Sequence, residues 1–347
     1  MLSQLYTIKY MGYKMKVAIR SAMLMLLTTG ILFISACSLS SNSSTCLTGE
    51  DMPADVKTQV DKLNAQVVQA IKANDTKAIL AIAGTTISSQ SDALQSFIQS
   101  EQSLMVETPK LMDEYYITFA QTGNTTQTIT PALENTPYYF YLEPISTKMV
   151  VLFSTFNKSP ITYILGQTYA LEGNDWKLAG LNITDYAYNG MNAPALYDKA
   201  LNYQKNNDIA PATLYANLLT GIMQPANMIS YPNANDMVKF QSDISTLATK
   251  TFIFPLSVQA DNKTYSIVDV LPMLTDQGIA CTVKYVTDTP LANTSQIETE
   301  ANSIQKVLDN YFSGLSDSMD AFLMQAYNET PSDSNKTYDC YSSVIIR

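Results

Sequence analysis

The residues of this sequence that could do acid–base chemistry are paired carboxylates. Asp113 and Glu114 stand beside Tyr115 and Tyr116, and this group is the most reactive-looking cluster in the chain. Two carboxylates that flank a glycosidic bond would suit a glycoside hydrolase. Neighbouring residues point to opposite faces of a strand, or about 100° apart on a helix, so this pair is poorly placed to flank one bond. We expect Asp113 and Glu114 to be solvated surface residues.

Histidine is absent from all 347 residues, which removes a large part of enzyme chemistry. Catalytic triads, Cys–His pairs and the usual zinc sites need an imidazole. The glycine patterns that cradle nucleotide phosphates and the Gly-x-Ser-x-Gly turn of hydrolases do not occur. The acidic run over 333–339 resembles a calcium loop only superficially, because Tyr338 stands where that loop needs glycine. We predict no catalytic residue, no metal site and no cofactor, with a hydrolase that uses Asp, Glu or Tyr as the alternative.

The charge of the chain argues against anionic partners. It carries 31 acidic and 21 basic side chains, a net charge of −10, and its two arginines are Arg20 and Arg347. An acidic surface repels phosphates, and arginine is the side chain that recognises them by paired hydrogen bonds. We therefore exclude nucleic acid as a partner.

A basic segment, an apolar run and two small residues precede Cys37 in that order. Lys16 and Arg20 come first, the apolar run follows, and Ser35 and Ala36 stand directly before the cysteine. The run over 21–36 is shorter than the ~20 residues that a membrane-spanning helix needs, which favours a cleaved secretory signal over a retained anchor. The retained anchor is the alternative.

Residues 15–37 resemble the signal peptide and lipobox of bacterial lipoproteins. The resemblance implies cleavage of a signal peptide over 1–36, a diacylglyceryl group on the thiol of Cys37, and an acyl chain such as palmitate on the new amino terminus. Met15 is a better start for such a signal than Met1. Ser38 directly after the cysteine would imply sorting to the outer membrane, facing the periplasm. The expected membrane contact is through the lipid on Cys37.

The serine-rich residues 37–50 are typical of a lipidated flexible tether. After them, apolar residues at spacings of three and four predict a helix over 53–73, and weaker patterns predict helices over 76–83 and 92–104. Aromatic and β-branched runs predict strands over 138–145, 148–156, 161–171 and 176–188, with Gly173 in a hairpin turn. Helices followed by an antiparallel meander indicate an α+β domain over 51–190.

This order of helices and long curved strands loosely resembles the NTF2-like, cystatin-related cone. The resemblance implies a concave sheet face that could line a cavity. One alternate set of strand residues would form the lining: Tyr163, Gln167, Tyr169, Trp176 and Asn182. The alternative interpretation is that this row packs beneath the helices, because aromatic residues at period two are usually core.

Two further segments complete the predicted architecture. Residues 191–232 predict a helical hairpin and a linker, and residues 233–347 predict a C-terminal α+β domain with helices over 235–248 and 295–312. Cys281 and Cys340 fall in two predicted strands of that domain. Since an exported protein meets an oxidising compartment, we predict a disulfide between them. Cys46 is then left alone on the tether, either as a free thiol or as a link to a second chain.

The function classes that remain are an envelope lipoprotein, a transport accessory and an enzyme. We expect a non-enzymatic binding or structural module, anchored by Cys37, with an envelope protein or glycan as its partner. The first alternative is an accessory lipoprotein of an envelope transport or assembly complex. The second is a hydrolase with its site in the cone-shaped cavity.

Overall fold

The computed structural model describes residues 44–131, 137–333 and 336–346, all within one compact unit. The signal segment and Cys37 lie outside the described residues. Among those that are described, every helix is too short or too polar to cross a bilayer. The fold has helices and mainly antiparallel sheets, which confirms the α+β class predicted from the sequence.

Three of the four N-terminal helices form close to where the sequence predicts them, and the short helix over Thr85–Ser88 was not predicted. Asn74 adopts a left-handed conformation (φ 54°) that ends the first helix, and the Asp75 carboxylate caps the second by accepting from the Ala78 backbone N–H. Their apolar stripes face the sheet that follows. The helices are α1 (Ala54–Ala73), α2 (Thr76–Ile82), α3 (Thr85–Ser88) and α4 (Ser91–Glu101).

A curled antiparallel sheet of six strands follows the helices and forms the centre of the N-terminal half. Its order across the sheet is β1 (Thr45–Thr48), β2 (Lys110–Thr118), β5 (Lys148–Lys158), β6 (Ile161–Glu172), β7 (Asp175–Tyr188) and β8 (Met191–Asn192). Gly173 takes φ +64° in the tight turn between β6 and β7, a conformation that favours glycine.

Both faces of this sheet are buried, against different partners. Val150, Leu152 and Leu165 face α1, α2 and α4 in one apolar cluster. Val151 and Phe153, which alternate with them, belong to a second cluster that continues through the rest of the fold as far as Ala326 in the C-terminal sheet. The sheet therefore separates the two apolar clusters.

The second cluster is closed by a small sheet and three helices. The elements are β3 (Gln127–Ile129), β4 (Tyr139–Leu142), β9 (Ile229–Ser230), α5 (Ala193–Lys205), α6 (Ile209–Leu219) and α7 (Ala234–Thr251). Helices α5 and α6 form the predicted helical hairpin. Tyr215 in α6 donates to the Ser318 carbonyl at 3.0 Å, so the hairpin also packs on the C-terminal segment.

The C-terminal segment is a five-stranded sheet with a helix on one face. The strands in order across the sheet are β10 (Leu256–Ala260), β11 (Lys263–Thr275), β12 (Gly278–Val286), β13 (Ala321–Tyr327) and β14 (Cys340–Ile346). Helices α8 (Thr294–Val307) and α9 (Leu315–Ser318) connect β12 to β13, which pair in parallel, while the other neighbours are antiparallel. Strand β14 forms one edge.

The predicted tether over 37–50 is too long at its C-terminal end. Residues Thr45–Thr48 form β1, which pairs antiparallel with β2, so that Cys46 lies opposite Ile117. A 3-10 turn over Gly49–Asp51 then leads into the first helix. The apolar side chains of Cys46 and Leu47 each pack against one of the two clusters, which explains why this stretch is ordered despite its serine-rich start.

Candidate functional site

The predicted cavity row is packed beneath the helices. Tyr163, Tyr169 and Trp176 are buried in the cluster that the sheet shares with the N-terminal helices. Gln167 is buried in the same row and accepts a hydrogen bond from the Tyr169 hydroxyl at 2.9 Å. This face of the sheet therefore supplies core contacts, and the resemblance to the cone stays a prediction.

Asn182 does not belong to that row, because a β-bulge reverses the alternation of β7. Thr168 pairs with Gly180 and Tyr169 with Leu178, which leaves Ala179 as the extra residue. Beyond the bulge, Asn182 turns to the opposite face, where its side-chain oxygen accepts from Asn227 at 3.2 Å. A one-residue shift moves every later side chain to the other face.

The carboxylates Asp113 and Glu114 lie in β2 on opposite faces of the sheet, and neither is a solvated surface residue. Glu114 is 8% exposed and forms an ion pair with Lys57 of α1. Asp113 is half-buried on the other face. The expectation of opposite faces is confirmed, whereas the expectation of solvation is wrong because helix α1 covers the first face and the β4 region covers the second.

Asp113 belongs to a tyrosine network. It accepts a hydrogen bond from the Tyr138 hydroxyl, which lies 2.8 Å from the hydroxyl of Tyr115. Burial raises the pKa of Asp113, although the bond from Tyr138 opposes that rise. Burial also raises the pKa of Tyr138. With Glu114 on the far side of the sheet, this network holds one carboxylate and cannot place two around a single bond.

The predicted disulfide between Cys281 and Cys340 is wrong for this fold, and both thiols are free. Cys281 lies in β12 opposite Phe322, and Cys340 lies in β14 opposite Tyr327, with β13 between them. Two strand spacings and five residues along β13 separate their Cα atoms by roughly 19 Å. A disulfide requires less than about 7 Å.

The remaining described cysteine, Cys46, is a half-buried strand residue. Burial raises the pKa of its thiol to about 11, so little thiolate is present at neutral pH. It is a poor candidate for a ready link to a second chain.

The face of the C-terminal sheet turned away from α8 carries two mainly apolar rows whose exposed members lie on β11 and β14, and we call it the outer face. Register places residues of four adjacent strands side by side in each row. Val344 is 54% exposed and Ile346 is 65% exposed, while Leu271 is also exposed. The first row is Leu271, Thr282, Leu323 and Val344, and the second is Met273, Ala280, Ala321 and Ile346.

A polar row and a shallow cleft border the apolar rows. Asp269 and Lys284 form an ion pair at 3.1 Å on the outer face, and Gln325 and Ser342 continue that row across the sheet. The ion pair lies in the wall of an open cleft of about 210 Å³. The cleft is lined by Phe254, Pro255, Val268, Asp269, Lys284, Thr330, Pro331 and Ser332. Such a mixed lining suits a side chain of a partner better than a reaction centre.

A buried carboxylate on the opposite side of the C-terminal sheet has a structural role. Glu300 of α8 is 3% exposed and accepts from Thr287 at 2.7 Å, Thr289 at 2.8 Å and Lys263 at 3.1 Å. Burial alone would raise its pKa, but these hydrogen bonds outweigh burial and hold the pKa of Glu300 below its usual value. All its partners belong to the fold.

Within the described ranges, no three acidic or cysteine side chains cluster in a way that could hold a metal ion. No family model, curated protein or solved structure matches this chain. The outer face is the candidate site, and sequence reasoning missed it because its rows form only when four strands are in register. The one signal available was the absence of charged residues and proline from Cys340 to Ile346 in β14.

Proposed function

We propose that this chain is a lipid-anchored lipoprotein of the bacterial cell envelope that acts as a non-enzymatic binding or structural module. Cys37 carries the lipid, and the outer face of the C-terminal sheet receives a protein partner. The anchor places the protein on the outer membrane, facing the periplasm. Its sequence support is the order of basic, apolar and small residues that ends at Cys37.

The observation that carries the binding role is the set of exposed apolar side chains Leu271, Val344 and Ile346 in the two rows of the outer face. Contiguous apolar surface bordered by polar groups is characteristic of protein interaction sites. The polar row with Asp269 and Lys284 would supply the rim, and the cleft would take one projecting side chain. A glycan partner would instead favour aromatic platforms, whereas these rows are aliphatic.

The anchor is tested by acyl labelling. Cells that produce the full chain are fed a tagged palmitate, and the Cys37→Ala variant is compared with a Cys46→Ala variant as the matched control. We expect label and membrane retention in the wild type and in the control, and loss of both in Cys37→Ala. A Cys37→Ala protein that keeps its label would refute the lipidation.

The binding face is tested by photo-crosslinking in cells. A photoreactive residue is placed at Leu271 on the outer face, and at Leu247 of α7 as an equally exposed control. We expect one defined adduct from position 271 and none from position 247. Equal adducts from both positions, or none from position 271, would refute the role of the outer face. A stoichiometric adduct would favour the accessory role in an envelope complex.

A further inference from the structure

The edge strand β14 has seven residues and lacks the charged residues, prolines and bulges that usually keep an edge strand from pairing with another strand. Its sequence from Cys340 to Ile346 holds no charged residue and no proline, and its pairing with β13 is regular over all seven positions. Natural edge strands are usually interrupted by lysine, proline or a bulge, because free backbone N–H and C=O groups attract another strand. No described strand pairs with the outer edge of β14, so within the described part of the chain its backbone is open to strand addition.

The strand is also complementary to itself. In an antiparallel pairing centred on Ser343, residue 340 meets residue 346, residue 341 meets 345, and residue 342 meets 344, so all seven positions are paired. Any shifted register leaves end residues unpaired. In the sequence, Asp339 precedes the strand and Arg347 follows it, so its two ends have opposite charges, and antiparallel pairing brings opposite ends together.

A second observation marks the centre of that register. The Ser343 hydroxyl is enclosed and has no hydrogen-bond partner among the described residues. A buried hydroxyl without a partner is costly, and serine pairs across antiparallel strands form hydrogen bonds. In the register centred on Ser343, this residue lies directly opposite Ser343 of a second copy, so the two hydroxyls can bond once the side chains turn toward the edge.

We propose that a second copy of this chain adds its β14 to this edge, which joins the two five-stranded sheets into one continuous sheet around a twofold axis at Ser343. The pairing places Val344 opposite the partner's Ser342 and Ile346 opposite the partner's Cys340. The apolar rows of the two outer faces then meet across the junction. Seven residue pairs make a small interface, so the association is reversible and concentration-dependent.

The test uses single cysteines on the outer face of β14 in the full chain, with Cys340→Ser in the background to remove the native exposed thiol. Ser342→Cys and Val344→Cys are produced with different tags and mixed under mild oxidation. Directly opposite positions lie about 4.5–5.5 Å apart between Cβ atoms, which permits a disulfide after small adjustment. We expect the mixture to form a mixed dimer several times faster than either variant links to itself.

Equal rates of linking in the mixture and in the separate variants would indicate random collision and would overturn the proposal. A mixture that does not link at all would do the same. Because the reaction depends only on β14, it gives the same answer whether or not Cys37 is lipidated, which a parallel run on the Cys37→Ala protein checks.

Sedimentation provides the second measurement. Val344→Lys puts a charge on the edge, and Val238→Lys of α7 is its matched control, because both valines are 54% exposed. We expect the wild type and Val238→Lys to shift from monomer to dimer as concentration rises, while Val344→Lys stays monomeric with unchanged thermal stability. A wild type that is monomeric throughout, or a dimer that survives Val344→Lys, would contradict edge pairing.

Discussion

Replacement of Glu300 by glutamine tests how the C-terminal sheet holds helix α8. The carboxylate joins three separate segments, since Thr287 and Thr289 follow β12, Lys263 begins β11, and Glu300 itself lies on α8. A glutamine of the same shape keeps one acceptor oxygen and loses the charge. The variant therefore separates the electrostatic role of the side chain from its packing.

The expected loss follows from the bonds that glutamine cannot keep. Hydrogen bonds to a buried charged group contribute about 1.5–3 kcal/mol each, and Glu300→Gln keeps the acceptor for only one of the two threonines. Lys263 is 55% exposed, so screening limits its share to at most about 1 kcal/mol. We expect Glu300→Gln to lower the free energy of unfolding by about 2–4 kcal/mol, or the melting temperature by roughly 3–6 °C for a fold of this size.

The pH dependence of the loss identifies its cause. Because the folded pKa of Glu300 lies below its unfolded value, the carboxylate stabilises the fold fully above the usual glutamate pKa of about 4.3. That contribution is lost as pH falls through the lower folded pKa. Urea unfolding of the wild type and Glu300→Gln should therefore differ most at pH 7, and the difference should shrink below about pH 4.

Glu329→Gln serves as the matched control. Glu329 pairs with Lys336 at 2.6 Å, but both side chains are largely exposed, so its replacement should change the stability much less than Glu300→Gln does. If Glu300→Gln were as stable as this control, or if its deficit were the same at every pH, our account of the buried carboxylate would be refuted.

Three further substitutions test other parts of the core. Asp113→Asn keeps an acceptor for Tyr138 and removes a carboxylate whose pKa is raised by burial. It should therefore raise the urea midpoint of unfolding at pH 7, and this gain should be lost as pH falls below the folded pKa of Asp113. A lower midpoint at pH 7 would contradict this. Tyr231→Phe removes a buried hydroxyl that has no partner among the described residues, and calorimetry should show unchanged or slightly higher stability, whereas a loss of more than about 1 kcal/mol would reveal a missed bond. Gly166→Ala would bring a Cβ atom within 2.7 Å of the Ala226 Cβ, and chemical unfolding should show a loss of about 1–3 kcal/mol; a neutral effect would mean that this contact relaxes freely.

Regular periodicity made much of the N-terminal half predictable. The three- and four-residue spacing of Val56, Val60 and Val67 marks α1, and the β-branched runs mark β5 to β7 within a few residues of their ends. Strand β2 escaped prediction because Asp113 and Glu114 interrupt its apolar pattern, and their partners come from distant segments. Local pattern cannot show that Lys57 will neutralise one of them.

The errors at the candidate sites have one common cause, which is that register and strand order are not local properties. The bulge at Ala179 places Asn182 on the face opposite to the predicted one. Gly180 beside the bulge could have indicated it, since an isolated glycine in a strand often marks a bulge. The Cys281–Cys340 prediction failed because β13, which lies between their strands in the sequence, also lies between them in the sheet, and local pattern does not reveal that strand order. The outer face could not be predicted either, because its rows depend on the register and order of four strands.

The entry of the chain through β1 also determines how the fold meets mechanical force. A pull transmitted from the residues before Thr45 reaches the fold through the four residues of β1, which pair only with β2 within the described sheet. A force parallel to β1 acts on all its hydrogen bonds to β2 at the same time, whereas a force perpendicular to β1 breaks these bonds one after another. Strand β1 would therefore bear such a pull before the rest of the described fold, and its detachment would remove the side chains of Cys46 and Leu47 from the two clusters.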